Sequence, residues 1–145
     1  MFFNYQKLSK FSTLAFALAT PVVGQTSVQC FNSGLNVNCS QSIGAFCSNT
    51  QAAMGNAINA QDSIATCSTN NISIGIISKC IFTAWNQFPS VGGNIPNVAN
   101  CNLALKNVTE TCQFGGQASV DNANFLFTVL PNTGSCLSDI TNDGD

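Results

Sequence analysis

The sequence predicts an α+β fold, a single disulfide-braced domain built as a helix–sheet–helix (α/β/α) sandwich. Two segments carry apolar residues at helical spacing, and a strand candidate at residues 124–130 (NFLFTVL) is apolar on both faces. Such a strand is typical of a central position with layers packed on each side. Eight cysteines, all between positions 30 and 136, add a covalent framework to this core.

The first part of the domain predicts one strand and one helix. Residues 28–31 form the strand candidate, which the turn signal at residues 32–34 (NSG) ends. Ser40 can cap the helix that follows, because a serine oxygen accepts from the free N–H groups of a first turn. Four residues then share one face of that helix: Ile43, Phe46, Cys47 and Met54.

The middle of the chain predicts strands. Residues 63–68 and 72–77 are candidates for two short strands separated by a turn at Asn70-Asn71. Residues 79–85 (KCIFTAW) favour a third strand, because β-branched and aromatic residues dominate them. Residues 88–97 contain two prolines and a glycine pair and therefore predict a loop.

The second helix has the clearest pattern. Asn97 caps it, and an apolar stripe follows at spacings of three and four: Val98, Cys101, Leu105, Val108 and Cys112. Gly115-Gly116 ends the helix. After the strand candidate at 124–130, residues 131–134 (PNTG) predict a turn before Cys136.

All eight cysteines are expected in disulfides: Cys30, Cys39, Cys47, Cys67, Cys80, Cys101, Cys112 and Cys136. Cys101 and Cys112 lie about 16 Å apart on one helix, beyond disulfide reach. Cys39 and Cys47 are separated similarly if both are helical. Each helix is therefore expected to be bridged twice to other elements. Cys67 with Cys80 is one plausible pairing among several.

Residues 1–24 predict a secretory signal peptide, and residues 25–145 the mature single cysteine-rich domain. Lys7 and Lys10 precede a nine-residue apolar run at residues 11–19, which is too short to span a membrane. Cleavage is expected after Gly24, with cleavage after Ala19 as the less favoured alternative. The polar, acidic last residues predict no lipid anchor. The expected location is therefore extracellular.

Charge and composition exclude several functions. Residues 25–145 contain two lysines, no arginine and six acidic residues, for a net charge of −4, which argues against nucleic-acid and anionic-membrane partners. With no histidine in the chain, imidazole-dependent catalysis and most metal chemistry are excluded, so no metal or cofactor is expected. The remaining enzymatic option is a glycosidase-like carboxylate pair, Glu110 with Asp62 or Asp121.

Sugar binding is compatible with the remaining composition, because carbohydrate sites combine an aromatic face with neutral amides and hydroxyls. Trp85 is the only tryptophan, and Asn86 and Gln87 follow it at a strand-to-loop junction. The alternative is that Trp85 fills the end of the core. A second candidate cluster comprises Asp121, Asn122 and Asn124. Three glycosylation sequons begin at Asn38, Asn71 and Asn107. Asn38 is the weakest, and Asn107 is expected on the exposed side of its helix.

The cysteine spacing of the chain resembles that of a known family. The resemblance lies in Cys39-x7-Cys47, in Cys101-x10-Cys112 followed by Gly115-Gly116, and in the end from Phe125 to Cys136. The chain is similar to the small secreted fungal (mushroom) glycan-binding lectins typified by the ink-cap glycan-binding protein. The resemblance implies an α/β/α sandwich and recognition of N-acetylgalactosamine-containing (LacdiNAc-type) glycans. None of that family's ligand contacts can be matched to positions here.

The chain is therefore expected to be a secreted lectin, not an enzyme, whose partners are extracellular glycans or glycoproteins. The alternative is a secreted cysteine-rich structural or host-interaction protein without sugar affinity. The oligomeric state is left open.

Overall fold

The computed structural model describes residues 24–52, 57–72, 76–88 and 93–136. These residues contain five strands, two α-helices and one short 3₁₀ helix, Ser40–Ser42. The strands are β1 (Thr26–Cys30), β2 (Ser63–Ile72), β3 (Ile76–Asn86), β4 (Gly116–Val120) and β5 (Phe125–Thr133). The helices are α1 (Ile43–Ala52) and α2 (Val98–Thr111).

The strands form one antiparallel sheet in the order β1-β4-β5-β3-β2. β5 is the central strand, as its apolar pattern predicted. It places Phe125, Phe127 and Val129 on the buried face, whereas Leu126 and Leu130 alternate onto the other face. Apolar residues on both faces of β5 therefore indicated its central position correctly. They did not indicate a helix on each face, because no described helix covers Leu126 or Leu130.

Both helices pack on the same face of the sheet. Helix α2 lies on β1, β4 and β5, and helix α1 packs beside α2. Phe46 of α1 stacks on Phe82 of β3, with 5.3 Å between the ring centroids. The predicted α+β helix–sheet–helix (α/β/α) sandwich is therefore wrong. The described chain is mostly β, and no described helix lies on the second face of its sheet.

Four disulfides join all eight cysteines, as expected. The pairs are Cys30–Cys112, Cys39–Cys80, Cys47–Cys101 and Cys67–Cys136. Cys101 and Cys112 are not bonded to each other, which confirms the argument from helix length. The suggested Cys67–Cys80 pair is wrong. Register explains why: Cys67 is opposite Ile81 and Cys80 is opposite Ser68, so the two side chains point to opposite faces.

Helix α2 follows its predicted limits closely. The Asn97 side chain accepts a hydrogen bond from the Asn100 N–H at 3.1 Å, so the cap is confirmed. Beyond the helix, Gly115 adopts a φ of +78°, and a Cβ there would lie 2.3 Å from the Val129 carbonyl oxygen. Glycine is therefore required where the chain leaves α2 and approaches β5.

Several elements differ from the sequence predictions. β2 runs through Asn70 and Asn71 to Ile72, so no turn occurs there. β4 was not predicted, because its sequence GQASV holds few strand-forming residues. β5 continues through Pro131 to Thr133, where a turn was expected. β4 pairs with β5 only as far as Val129, so Pro131 has a strand neighbour on one side, where a missing N–H is tolerated.

Candidate functional site

Trp85 lies on the face of the sheet that carries no described helix. It is directly opposite Ser63 on β2 and Leu126 on β5, and its side chain is 37% exposed. The alternative position, as a plug at the end of the core, would require a buried ring. The ring is instead partly exposed to solvent, between side chains of the two neighbouring strands.

Two rows of side chains cross this face beside Trp85, and we call them the open face. Residues directly opposite in neighbouring strands project from the same side, so the register defines the rows. The first row is Ser63, Trp85, Leu126, Ser119 and Ser27, and the second is Ala65, Thr83, Thr128, Gln117 and Gln29.

The open face combines hydroxyls, amides and one indole and contains no charged residue. The Gln117 side-chain nitrogen donates to the Gln29 side-chain oxygen at 2.7 Å, and this pair is exposed. Trp85 and Leu126 supply apolar surface beside Ser63 and Ser119. An aromatic plane bordered by neutral donors and acceptors suits the two sides of a sugar ring, one lined by C–H groups and one by hydroxyls.

Asn86 and Gln87, predicted to accompany Trp85, have different environments. Asn86 is fully buried on the helical face; its amide donates to the Ile58 carbonyl at 2.8 Å and accepts from the Phe88 N–H at 3.1 Å. Its amide therefore holds the strand-to-loop junction together. Gln87 is exposed, and its backbone N–H donates to the Asn124 carbonyl at 2.8 Å.

The hydrogen bond from Gln87 to Asn124 joins the backbones of the two predicted clusters, one at residues 85–87 and one at residues 121–124. Asn122 adopts a left-handed φ of 61° in the turn between β4 and β5, beside exposed Asp121, whose N–H donates to the Gln25 carbonyl. Asn122 and Asn124 line a small cleft of about 170 Å³ with asparagines of the α2 N-terminus. The cleft also reaches Phe125 and Phe127, so it opens toward the helical layer, whereas Trp85 faces away from it.

A second cleft among the described residues, larger than the first, was not predicted. It has a volume of about 810 Å³ and lies between the segment at residues 36–40, the second half of α2 and the end of β5. We call it the α2 groove. One signal was present in the sequence: Asn102, Lys106 and Thr109 recur at spacings of four and three, forming a polar stripe on α2. The other wall comes from a distant segment, which sequence spacing cannot reveal.

Comparison with known proteins decides the family. The glycan binding domain Y3 family matches residues 38–136, which is more than half of the chain. The chain belongs to this family. The Antiviral protein CAP of Coprinus comatus, an ink-cap mushroom, is 36% identical over 61 residues. Those residues are 40% of this chain, and the chain spans 58% of that relative. The predicted resemblance to a fungal glycan-binding lectin family is therefore confirmed.

The residues that match the Y3 family include most, but not all, of the candidate surfaces. Trp85, the small cleft and seven of the eight cysteines fall within residues 38–136, as does the α2 groove apart from Asn36 and Val37. Strand β1 and Cys30 precede the match, so the Gln29 end of the open face lies outside it. The row that contains Trp85 is therefore mostly a feature of the matched region.

The carboxylate pair considered for a glycosidase, Glu110 with Asp62 or Asp121, is not assembled. Asn100, near the start of α2, shares the small cleft with Asn122, the neighbour of Asp121, whereas Glu110 is ten residues farther along the helix. That separation is about 15 Å, beyond the span of a glycosidase pair. Asp62 also lies at the Asp121 end of the sheet, since its carbonyl accepts from Asn86 at the end of β3.

No cluster of potential metal ligands occurs among the residues that the structure describes. In the same part of the chain, the helices are all too short or too polar to cross a membrane.

The three sequons remain predictions, and the structure describes the side chains of two of their asparagines. Asn38 is exposed, and its side-chain oxygen accepts from the Ser40 N–H at 2.9 Å. Asn107, expected on the exposed side of α2, is half-buried, and its side-chain nitrogen donates to the Thr26 hydroxyl. For Asn71, the side chain and Ser73 lie outside the described residues.

Proposed function

We propose that this protein is a secreted lectin that binds N-acetylgalactosamine-containing glycans of the LacdiNAc type through the open face around Trp85. The observation that carries the proposal is the partly exposed Trp85 within two uncharged rows of hydroxyl and amide side chains. Family membership supplies the ligand class, since the family binds glycans. The particular glycan is an expectation from the cysteine-spacing resemblance.

The chemistry of the open face supports a neutral, acetylated sugar. The indole of Trp85 can pack against the C–H side of a pyranose ring. Leu126, directly opposite Trp85, offers an apolar contact for an acetamido methyl group. Gln117 and Thr128 lie directly opposite each other in the next row and can donate to or accept from hydroxyls.

The proposed role is binding without cleavage, on glycans free or attached to glycoproteins. A reducing-sugar assay with LacdiNAc glycans tests this directly. We expect no sugar release above a buffer control, and release at a rate proportional to protein concentration would contradict the proposal.

Secretion is supported by the leader-like residues 1–24 and by four disulfides, which persist in oxidising compartments. Expression of the full chain in a eukaryotic host, followed by N-terminal sequencing of protein from the medium, tests the proposal. We expect a mature chain that begins at Gln25. Intracellular protein that keeps residues 1–24 would overturn it.

A glycan array followed by titration of the Trp85→Ala variant tests the binding proposal. The wild-type chain should enrich N-acetylgalactosamine glycans, and loss of the indole should weaken binding at the open face by tenfold or more. Phe88→Ala is the matched control, because Phe88 is an aromatic residue of similar exposure (38%) just beyond the same strand. Binding that Trp85→Ala leaves unchanged would move the site elsewhere. No enrichment on any glycan would favour the structural or host-interaction alternative.

A further inference from the structure

The α2 groove lies on the helical layer, on the other side of the sheet from Trp85. Its floor contains apolar residues from three segments: Val37, Ile43, Val129 and Pro131. Its walls present neutral polar side chains, among them Asn36, Asn38, Asn102, Thr109 and Gln113. At about 810 Å³ it has the volume of a small-ligand site, and amides approach it from both sides.

From this geometry we propose that the α2 groove is a second site for a neutral sugar residue, so that one chain binds two glycans. The inference rests on the proposed glycan-binding function and extends it to a surface that points the opposite way. The groove lining contains no aromatic ring, and its aliphatic floor beneath amides takes the place that the Trp85 indole has on the open face.

Charge in the groove favours a neutral ligand. Lys106 and Glu110 lie on its rim and pair with each other at 3.8 Å, so their charges cancel. Both side chains are more than half exposed, which makes the pair weak and leaves each group able to turn toward a hydroxyl. An anionic sugar would gain from Lys106 but would meet Glu110 one turn away.

The groove walls are fixed before any ligand arrives. Cys39 is bonded to Cys80 of β3, and Cys112 is bonded to Cys30 of β1, so both walls are tied to the sheet. The Asn70 side-chain nitrogen also donates to the Asn38 carbonyl at 3.1 Å. A preformed site loses little conformational freedom on binding, which raises affinity for a small ligand.

The two surfaces cannot hold the two ends of one short glycan. The α2 groove opens beside α2, and Trp85 projects from the opposite side of the sheet near the other end of β3. A chain with both sites occupied therefore bridges two separate glycans. Bridging by a single chain is the functional consequence that a one-site lectin lacks.

The test fills the groove without disturbing the core. Gly44 lines the groove in α1, and a Cβ built there meets nothing within 4 Å. Gly44→Leu combined with Thr109→Leu adds bulk from both walls, and Gly44→Ala is the matched control. Protein from a bacterial host that forms disulfides avoids a glycan on Asn38 at the groove wall. Thermal melting should confirm that every variant is folded.

The measurement is the number of LacdiNAc disaccharides bound per chain, by isothermal titration calorimetry. We expect two for the wild type and Gly44→Ala, one for the filled groove, one for Trp85→Ala, and none for the combined variant. One site, lost in Trp85→Ala and unaffected by filling the groove, would overturn the inference and leave the proposed function intact. One site lost only in the filled groove would overturn bivalency and the Trp85 site together. No binding by the wild type would overturn the proposed function itself.

Discussion

Phe82 and Trp85 are three positions apart on β3 and face opposite sides of the same sheet. Phe82 is completely buried against Phe46, whereas Trp85 is 37% exposed. Three of the four disulfides, including Cys47–Cys101 between the two helices, lie on the Phe82 side. Only Cys67–Cys136 lies on the Trp85 side. One strand can therefore stabilise the fold with alternate residues and leave the others partly exposed on the opposite face.

The largest expected effect is the difference in the free energy of unfolding between alanine variants of these two aromatic residues. Phe82→Ala should lower the free energy of unfolding by about 3–5 kcal/mol, because it opens a cavity under α1. Trp85→Ala should cost less, about 2 kcal/mol, because its ring is already partly solvated. Urea unfolding under non-reducing conditions measures both. Equal losses for the two variants would show that the open face is part of the core.

One disulfide from each side of the sheet can be compared in the same way: Cys47–Cys101 on the helical side and Cys67–Cys136 on the Trp85 side. Cys47–Cys101 and Cys67–Cys136 close segments of 54 and 69 residues, so the chain-entropy model assigns them nearly equal stabilisation. Cys47 and Cys101 are buried to 1% or less, so replacing them by alanine also leaves unfilled space in the core. We expect the Cys47→Ala/Cys101→Ala double variant to lose about 1 kcal/mol more than Cys67→Ala/Cys136→Ala. Thermal and urea unfolding of both double variants test the difference, and the reverse order would contradict it.

Local signals allowed much of the helical side to be predicted. The Asn97 cap, the stripe through Cys101 and Leu105, and the exclusion of a Cys101–Cys112 bridge depend only on helix geometry. The central position of β5 also followed from its composition. These features are determined by neighbours within a few residues, which sequence periodicity records.

The rest depends on register and on packing between distant segments. Leu126 and Leu130 make β5 apolar on both faces, yet no described helix covers them, so the number of layers could not be read from the strand. The one-residue offset between Cys67 and Cys80 is visible only once β2 and β3 are paired. Asn86 follows Trp85 in sequence, and strand alternation places it on the buried face, which was the available signal that it is structural.

A smaller effect is expected at the start of α2. Asn97→Ala should cost about 1 kcal/mol of stability, because the Asn100 N–H loses its acceptor at the helix N-terminus. Asn97→Ser is the matched control, since a serine oxygen can replace the amide oxygen. Because Asn97 lines the small cleft and not the open face, glycan affinity at the Trp85 surface should stay unchanged. A loss of affinity with retained stability would assign the small cleft to the binding site.

The smallest expected change in stability concerns the far end of the open face. Gln117→Ala removes the exposed hydrogen bond to Gln29, which should alter the free energy of unfolding by about 0.5 kcal/mol or less. Strand spacing places the Gln117 Cα about 12 Å from that of Trp85, within reach of a second sugar ring. Losing one hydrogen bond to the ligand should then weaken LacdiNAc binding by about two- to tenfold while leaving the monosaccharide unaffected. Gln41→Ala, an exposed glutamine on the helical layer, is the control and should change neither quantity. Equal weakening for the monosaccharide and the disaccharide would place Gln117 beside the first ring instead, and no weakening for either would limit the site to the neighbours of Trp85.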